Sequence, residues 1–191
     1  MMQAMPSAER DTYRHGDLQS AAITAAYELV AASGHEKLSV RKVAERTGVA
    51  HRSLYNHFVD RDDLLNHVAA EGYRRLAAKL APAVDARTFI RIYVVFALGE
   101  RSIYSLMTSR PHATMSKHPP LQSAVHLVIT EAMRVFARPG EDASARRRTV
   151  MKMYMLLFGG ITLHSMGILD VDGEASLVDE LVAMTAAPAD S

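Results

Sequence analysis

Residues 38–58, LSVRKVAERTGVAHRSLYNHF, constrain the fold more than any other segment of the chain. Val40, Val43 and Ala44 recur at three- and four-residue spacing, which places them on one face of a helix. Gly48 can adopt the left-handed conformation that ends a helix and turns the chain sharply. The segment therefore predicts two short helices joined by a tight turn, the arrangement of a helix-turn-helix.

The second of these helices carries many hydrogen-bonding side chains for its length. Leu54 and Phe58 are expected to anchor it, while its exposed side presents polar residues, namely His51, Arg52, Ser53, Tyr55, Asn56 and His57. A packed core does not require such side chains, whereas DNA bases and phosphates are recognised by them. We therefore predict DNA binding. The alternative is a surface helical hairpin within an all-helical core.

Helical segments are also predicted on both sides of this motif. Upstream, a stripe of apolar residues stops at Ser33 and Gly34, a signal that ends a helix. At the motif itself, Ser39 can cap the first helix by accepting a backbone N–H. Downstream, Asp60 can cap a long helix whose first turn is acidic, which favours the positive end of the helix dipole.

Residues 13–80 resemble the TetR/AcrR family of repressors. The shared motifs lie at residues 13–16, 38–41, 47–49, 54–58 and 62–65. The resemblance implies an all-α protein with an N-terminal three-helix helix-turn-helix DNA-binding domain and a helical ligand-binding and dimerisation domain. The expected boundaries are a flexible tail at 1–12, the DNA-binding domain at 13–60 and the second domain at 61–191.

Several residues are expected to contact DNA. From the residue types alone, His51, Arg52, Ser53 and Asn56 are candidates for base edges or the adjoining backbone, with Arg52 suited to guanine and Asn56 to adenine. The resemblance adds Arg41 for a base or phosphate, together with Ser39, Thr47, Tyr55, His57 and Arg61, most of which match phosphate-holding positions. It also suggests an arm formed by Arg14 and His15. The alternatives are a core aromatic for Tyr55 and a helix-end histidine for His57.

The distribution of charge favours the same segment. The whole chain carries a formal charge of only +1. Residues 37–61 contain six basic and two acidic residues, a net +4, whereas residues 81–191 contain eleven of each. Positive charge is therefore concentrated where phosphate contacts would be made, and its modest size favours binding as a dimer.

The remainder of the chain also has helical periodicity, without strand alternation. Helices are predicted at 86–98, 102–108, 121–137, 143–166 and 177–185, with a loop at 109–120. Ser176 and Asp179 are predicted to form a capping box at the start of the last helix.

The helix at 143–166 has apolar residues on every side, so it must be covered on every side. A domain of this size does not easily surround it, which predicts a partner chain; the alternative is a central helix in a monomeric bundle. The family resemblance implies a homodimer held by the helices at 143–166 and 177–185.

The C-terminal part is also rich in methionine and aromatic residues. All eight methionines beyond the N-terminal tail lie there, and flexible methionine suits a cavity for varied apolar ligands. We predict a pocket for a small apolar or aromatic effector, lined by Phe89, Tyr93, Phe96, Tyr104, Met107, Met133, Tyr154 and Phe158, with core and interface packing as the alternative. Residues 96–98 and 103–107 resemble a TetR subgroup named for a Trp-His-Gly motif, although the chain has no tryptophan.

Other classes of protein receive less support from the sequence. There is no cysteine, which excludes disulfides and thiolate metal sites and suits a reducing cytoplasm. No apolar run is long enough for a membrane span. Nine histidines occur without metal-binding spacing, and no catalytic motif is present, so neither an enzyme, a metal site nor a cofactor is expected. The alternatives that stay open are a dimeric adaptor that binds protein and, with less support, a His-ligated metalloprotein.

Overall fold

The computed structural model describes the backbone of residues 7–185 and the side chains from residue 18 onward, His112 excepted. Every regular element within these residues is helical, which confirms the all-α prediction. A 3₁₀ turn, His35–Lys37, separates the first two helices. The helices are α1 Ser7–Ser33, α2 Val40–Thr47, α3 His51–Leu54, α4 Arg61–Leu80, α5 Ala86–Gly99, α6 Arg101–Thr108, α7 His112–Met115, α8 Pro119–Phe136, α9 Ala143–Ser165 and α10 Gly173–Thr185.

Local chemistry defines the bounds of α2 as predicted. The Ser39 hydroxyl accepts the Lys42 N–H at 3.2 Å, which satisfies one of the free donors at the helix start. Gly48 ends the helix with φ at 69°, a left-handed conformation, and its N–H returns to the carbonyls of Ala44 and Glu45. The chain therefore leaves α2 in a tight turn and enters α3.

The N-terminal helices enclose a small core, and α1–α3 with the segment up to residue 60 are called the head below. The apolar face of α2 is buried, and Leu54 and Phe58 at the end of the motif are almost completely buried. Ala22 and Ala26 of α1 are also fully buried, and their small side chains permit close helix packing. The hydrophobic interior of the head is thus closed by residues of this chain.

Helix α4 connects the head with the C-terminal half. At its start the Asp60 carboxylate accepts the Asp63 N–H at 2.8 Å, as predicted for a cap. At its end Arg134 of α8 donates to the carbonyls of Leu80, Ala81 and Ala83 at 2.7–3.2 Å. Because α4 packs along α8, the bonds from Arg134 hold the end of α4 in place.

A glycine permits close packing in the middle of α4. A Cβ atom at Gly72 would lie 2.7 Å from the Met107 sulfur and 2.9 Å from Cγ2 of Ile103, both on α6. The absence of a side chain at this position therefore lets α4 and α6 approach each other closely.

Helix α9 has one side inside the chain and one side outside it. Met153, Leu157 and Ile161 are buried, and α9 continues through Gly159 and Gly160 without interruption. A Cβ atom at Gly160 would lie 2.7 Å from Cδ2 of Leu181, so this glycine serves the close approach of α10. The opposite side of α9 is exposed although it is apolar; its large residues are Met151, Tyr154, Met155, Phe158 and Leu163, continued by Met166.

Three boundary predictions are wrong. Helix α10 begins at Gly173, so Ser176 lies inside it and no capping box forms, while Asp179 pairs with Arg87 at 2.6 Å. The expected loop at 109–120 contains α7 and the start of α8, because proline at position 119 suits the first turn of a helix. Helix α1 begins at Ser7, within the expected tail of residues 1–12; the rest of that tail lies outside the described residues.

None of the helices between residues 7 and 185 combines the length and apolar character that crossing a membrane requires.

Candidate nucleic-acid interface

Helix α3 and the turn after it expose a group of polar side chains on a buried foundation. His51, Arg52, Tyr55 and Asn56 are exposed, and Ser53 is half-buried. Leu54, between them, is fully buried. The His51 and Tyr55 rings meet edge to face with their centroids 5.1 Å apart, one helical turn from each other. We call the five polar residues the recognition face.

The backbone continues to wind after α3. Tyr55, Asn56 and His57 form a turn, and the N–H groups of His57 and Phe58 both bond to the Leu54 carbonyl at 3.0 Å. This winding holds Asn56 on the same part of the surface as Arg52, although regular helix ends at Leu54. Arg52 has no ion-pair partner among the described residues, so its guanidinium is available to an external acceptor.

Two arginines of α2, the helix that precedes the recognition face, already have carboxylate partners. Arg41 pairs with Glu45 at 2.9 Å, and both side chains are mostly exposed. Arg46 pairs with Glu28 of α1 at 2.6 Å. Exposed pairs of this kind contribute only about 0–1 kcal/mol. A phosphate therefore competes readily for either guanidinium.

Two predicted DNA-contacting hydroxyls have structural functions in the helix. Ser39 caps α2, as described above. The Thr47 hydroxyl donates to the Val43 carbonyl at 2.9 Å within the same helix. Both oxygens keep additional hydrogen-bonding capacity, so these bonds leave their predicted contacts with DNA untested.

Arg61 has a structural function beside its predicted contact with DNA. Its Nε donates to the Leu38 carbonyl at 2.8 Å, and its Nη2 donates to the carbonyls of His35 and Glu36. A guanidinium in this position satisfies backbone acceptors within the 3₁₀ turn and just after it. Arg61 therefore fastens the start of α4 to the segment before α2, and its phosphate contact stays a prediction.

Tyr55, His57 and the predicted arm are the remaining candidates for contacts with DNA. Tyr55 is 47% exposed, so the alternative of a core aromatic is wrong. His57 is half-buried beside Phe58, with ring centroids 6.4 Å apart. Arg14 and His15 belong to α1, but their side chains lie outside the described residues.

A family profile matches this part of the chain. Residues 22–68, which include the recognition face, match the N-terminal domain described as bacterial regulatory proteins of the tetR family. The segment that holds the recognition face is thus similar to the DNA-binding domain of TetR-family transcriptional regulators. No curated protein sequence matches the chain significantly.

Solved structures share the fold of this chain. A protein of unknown function from Rhodococcus sp. RHA1 is 26% identical, with a TM-score of 0.70 over 88% of this chain and 93% of the other. A TetR transcriptional regulator from the same organism is 15% identical, with a TM-score of 0.63 over 92% and 95%. RolR, solved in complex with resorcinol, is 19% identical, with a TM-score of 0.63 over 93% and 92%.

The residues predicted to line an effector pocket do not surround one cavity. Five of them are buried in the core, namely Phe89, Tyr93, Phe96, Tyr104 and Met107, whereas Met133 is half-buried and Tyr154 and Phe158 are exposed. Their rings pack against one another, Phe89 on Tyr93 and Tyr93 on Tyr104, which fills the space between them. Sequence spacing alone does not separate such packing from the lining of a cavity.

A cavity of about 350 Å³ lies between α6 and α9. Tyr104 and Phe158 of the predicted set line it, together with Arg101, Ser105, Thr108 and Thr162. The Tyr104 hydroxyl is buried and interacts with Tyr93. Burial raises the pKa of this phenol, so it is neutral at physiological pH and able to donate or accept a bond.

Another groove, also of about 350 Å³, lies along α5 beside the end of α4. Phe96 of the predicted set lines it, with Lys79, Arg91 and Glu100. Of the predicted residues, Tyr104 and Phe158 thus line one cavity and Phe96 lines the other, whereas the remaining five line neither of these two.

Some possible functional residues are not indicated by the sequence. The Tyr73 hydroxyl donates to the Met107 carbonyl at 3.1 Å. In the sequence, Tyr73 has no feature that distinguishes it from other residues of α4. Asp63, His67 and His118 come together beneath the head. Asp63 and His67 are four residues apart on one helix, which is a local signal, whereas His118 is brought to them only by tertiary packing.

Proposed function

We propose that this chain is a TetR-family transcriptional regulator, a ligand-responsive repressor that acts in the cytoplasm and binds a near-palindromic operator as a homodimer. Each subunit inserts the recognition face into the major groove. A two-fold dimer requires half-sites about one helical turn apart, roughly 34–36 Å. The observation that carries the proposal is the recognition face itself, five polar side chains held outward by a fully buried Leu54.

The specificity is assigned to Arg52 and Asn56. A guanidinium forms two parallel hydrogen bonds to guanine, and a carboxamide forms two to adenine. Phosphate contacts from Ser39, Arg41, Thr47, Tyr55 and His57, and from an arm at Arg14 and His15, would set the position of the head without selecting sequence.

The dimer is assigned to α9 and α10. The outer side of α9 exposes large apolar side chains, and the rings of Tyr154 and Phe158 are stacked there with centroids 5.8 Å apart. A contiguous apolar surface of this kind is typical of an interface between subunits. Two copies related by a two-fold axis would cover it with the same surface of the partner.

The effector is assigned to the cavity between α6 and α9. A lining of aromatic rings, hydroxyls and the buried Tyr104 phenol favours a small aromatic molecule that carries a hydroxyl group. A ligand the size of resorcinol, which RolR binds, fits these requirements. Binding would shift the spacing of the two heads only if the cavity favours one state of the dimer over the other.

Selection from random duplexes, followed by fluorescence anisotropy, tests the DNA-binding proposal. We expect an enriched near-palindrome that binds the chain more tightly than a scrambled duplex. Arg52→Ala should cost about 1–3 kcal/mol on the selected site and much less on the scrambled duplex, because a base contact is lost. Equal losses on both duplexes would contradict the assignment of Arg52 to base recognition.

Arg138→Ala is the matched control for this experiment. Arg138 is exposed beyond the end of α8, at the opposite end of α4 from the head. Its removal takes away one positive charge and should leave the affinity for both duplexes nearly unchanged. Failure to bind any duplex at low salt would instead contradict the regulator and favour a protein-binding adaptor.

Calorimetry with a matched ligand series tests the effector. Phenol, resorcinol and toluene have similar sizes but differ in hydroxyl groups. We expect the hydroxylated members to bind wild-type protein more tightly than toluene, and Tyr104→Phe to reduce that difference. Binding of toluene as tightly as resorcinol would contradict the assigned chemistry, and a ligand that leaves DNA affinity unchanged would contradict its function as an effector.

A further inference from the structure

Three metal-binding side chains meet where the head joins the C-terminal half. Asp63 and His67 lie one turn apart on α4, and His118 immediately precedes α8. One potential ligand atom from each residue lies within 4.8 Å of those of the other two. Nε2 of His118 lies 3.1 Å from Oδ1 of Asp63.

The donor set suits a particular class of ion. Two imidazoles and one carboxylate are ligands for first-row transition metals such as zinc, and they leave further coordination positions for water. Bonds from zinc to such ligands are about 2.0–2.2 Å long, so the ligand atoms around one ion lie roughly 3.5 Å apart. Side-chain rotations of about 1 Å would bring the most distant pair to that separation.

The neighbouring structure orients the carboxylate. Oδ2 of Asp63 accepts the Val59 N–H at 3.0 Å, while Oδ1 points to His118. The side chains of Asp63 and His118 are 23% and 12% exposed, so the pair is largely withdrawn from water. Hydrogen bonds of this kind fix metal-binding residues in place and strengthen binding.

The His67 ring is also held in position. It meets Phe58 edge to face with centroids 5.4 Å apart, and it meets His118 in the same way at 4.7 Å. Burial, followed by the neighbouring His118, lowers the pKa of His67. These ring contacts hold the imidazole beside the other two residues of the cluster.

Two arginines, one beside the turn of α4 that carries Asp63 and one whose charge acts on His67, are paired with carboxylates. Arg110 bonds to Asp62 at 2.6 Å on the same turn of α4. Arg74, whose charge also acts on His67, bonds to Glu71 at 3.1 Å. These pairs reduce the repulsion that an incoming cation would meet.

Metal binding requires one rearrangement at His118. Its Nδ1 now accepts the Leu121 N–H at 3.2 Å, so in the neutral ring Nε2 carries the proton and donates to Asp63. For Nε2 to bind a cation, that proton must move to Nδ1, and the Leu121 N–H would lose this acceptor. The same N–H keeps its bond to the His118 carbonyl at 3.0 Å, so the start of α8 stays satisfied.

We propose that Asp63, His67 and His118 form a binding site for a divalent first-row transition metal, with zinc as the best fit. The site joins the first turns of α4, directly below Phe58 of the head, to the start of α8. This replaces the expectation that the chain lacks a metal site. It places the metal between the proposed DNA-binding head and the C-terminal half, away from the cavity between α6 and α9.

Titration of metal-stripped full-length protein with cobalt(II) tests the site, since cobalt in a zinc-type site absorbs visible light. We expect one cobalt per chain, displaced by zinc. The variants are His67→Gln and His118→Asn, because asparagine keeps the capping of α8 while removing the imidazole. The control is His126→Gln, an exposed histidine on α8. Both cluster variants should weaken cobalt binding more than tenfold, and the control should match wild type.

Nitrogen-detected NMR of the histidine rings gives a second test that needs no variant. Zinc should shift two of the nine imidazoles to metal-bound values, and the two should be absent from spectra of His67→Gln and His118→Asn respectively. Absence of a saturable one-to-one complex, or equal binding by wild type and both variants, would overturn the proposal. Because no DNA is present, either result is independent of the regulator function.

Discussion

The head and helix α9 both present an exposed face, but they differ in what lies behind it. The recognition face of the head is polar and rests on Leu54 and Phe58, which are buried within one chain. The outer face of α9 is apolar, and none of the described residues covers it. The recognition face is thus supported within one chain, whereas the outer face of α9 is the surface for which we propose a partner subunit. A polar exposed face favours recognition of a ligand with many polar groups, and an apolar one favours permanent assembly.

Phe58→Ala should show that the head depends on its own buried core. Removing a fully buried phenylalanine leaves a cavity and should cost about 3–5 kcal/mol of unfolding free energy, measured in urea. Val59→Ala is the matched control, since Val59 is the next residue and its side chain is 84% exposed. If the two variants were equally stable, the head would not depend on its own core.

Met155→Glu should weaken the proposed dimer by placing a charge on the apolar outer face of α9. Met155 is 60% exposed, so a carboxylate there is tolerated in one chain but would be buried between two. We expect the dimer to weaken by about 2–4 kcal/mol, with unchanged helical content, as measured by sedimentation equilibrium. Val84→Glu, at a highly exposed position between α4 and α5, should have no effect. A wild-type chain that sediments as a monomer would contradict the proposed interface.

Arg61→Ala and Arg52→Ala should distinguish a residue that stabilises the head from one that contacts DNA bases. Loss of its bonds to backbone carbonyls should lower the unfolding free energy by roughly 2 kcal/mol. Arg52→Ala should leave that stability unchanged. In folded protein, Arg61→Ala should also keep the wild-type salt dependence of DNA binding. A salt slope reduced by about one, without a loss of stability, would show instead a phosphate contact.

Local rules account for the features of the fold that were predicted correctly. Ser39, Gly48 and Asp60 act on residues no more than four positions away, so their effects on helix ends can be predicted without a structure. The apolar spacing of α2 and the exposure of Tyr55 follow from the same helical periodicity. The capping box at Ser176 failed because Gly173 begins the helix earlier, and several residues in that segment could serve as a start.

Tertiary packing determines the features that the sequence leaves undecided. Arg61 has the charge of a phosphate-binding residue, but the carbonyls near residue 36 come within its reach only after folding. His118 is 51 positions from His67, and no local pattern connects them. The aromatic residues of α5 and α6 could line a cavity or fill the core, and their periodicity is the same in both cases. Only their mutual ring packing distinguishes these outcomes.

The two fastened ends of α4 have a mechanical consequence. The helix is about 30 Å long. Arg134 restrains its last carbonyls, Asp60 and Arg61 restrain its first turn, and Gly72 allows α6 to press against its middle. Because Arg61 ties one end to the head and Arg134 ties the other end to α8, a shift of α8 would be transmitted along α4 to the recognition face.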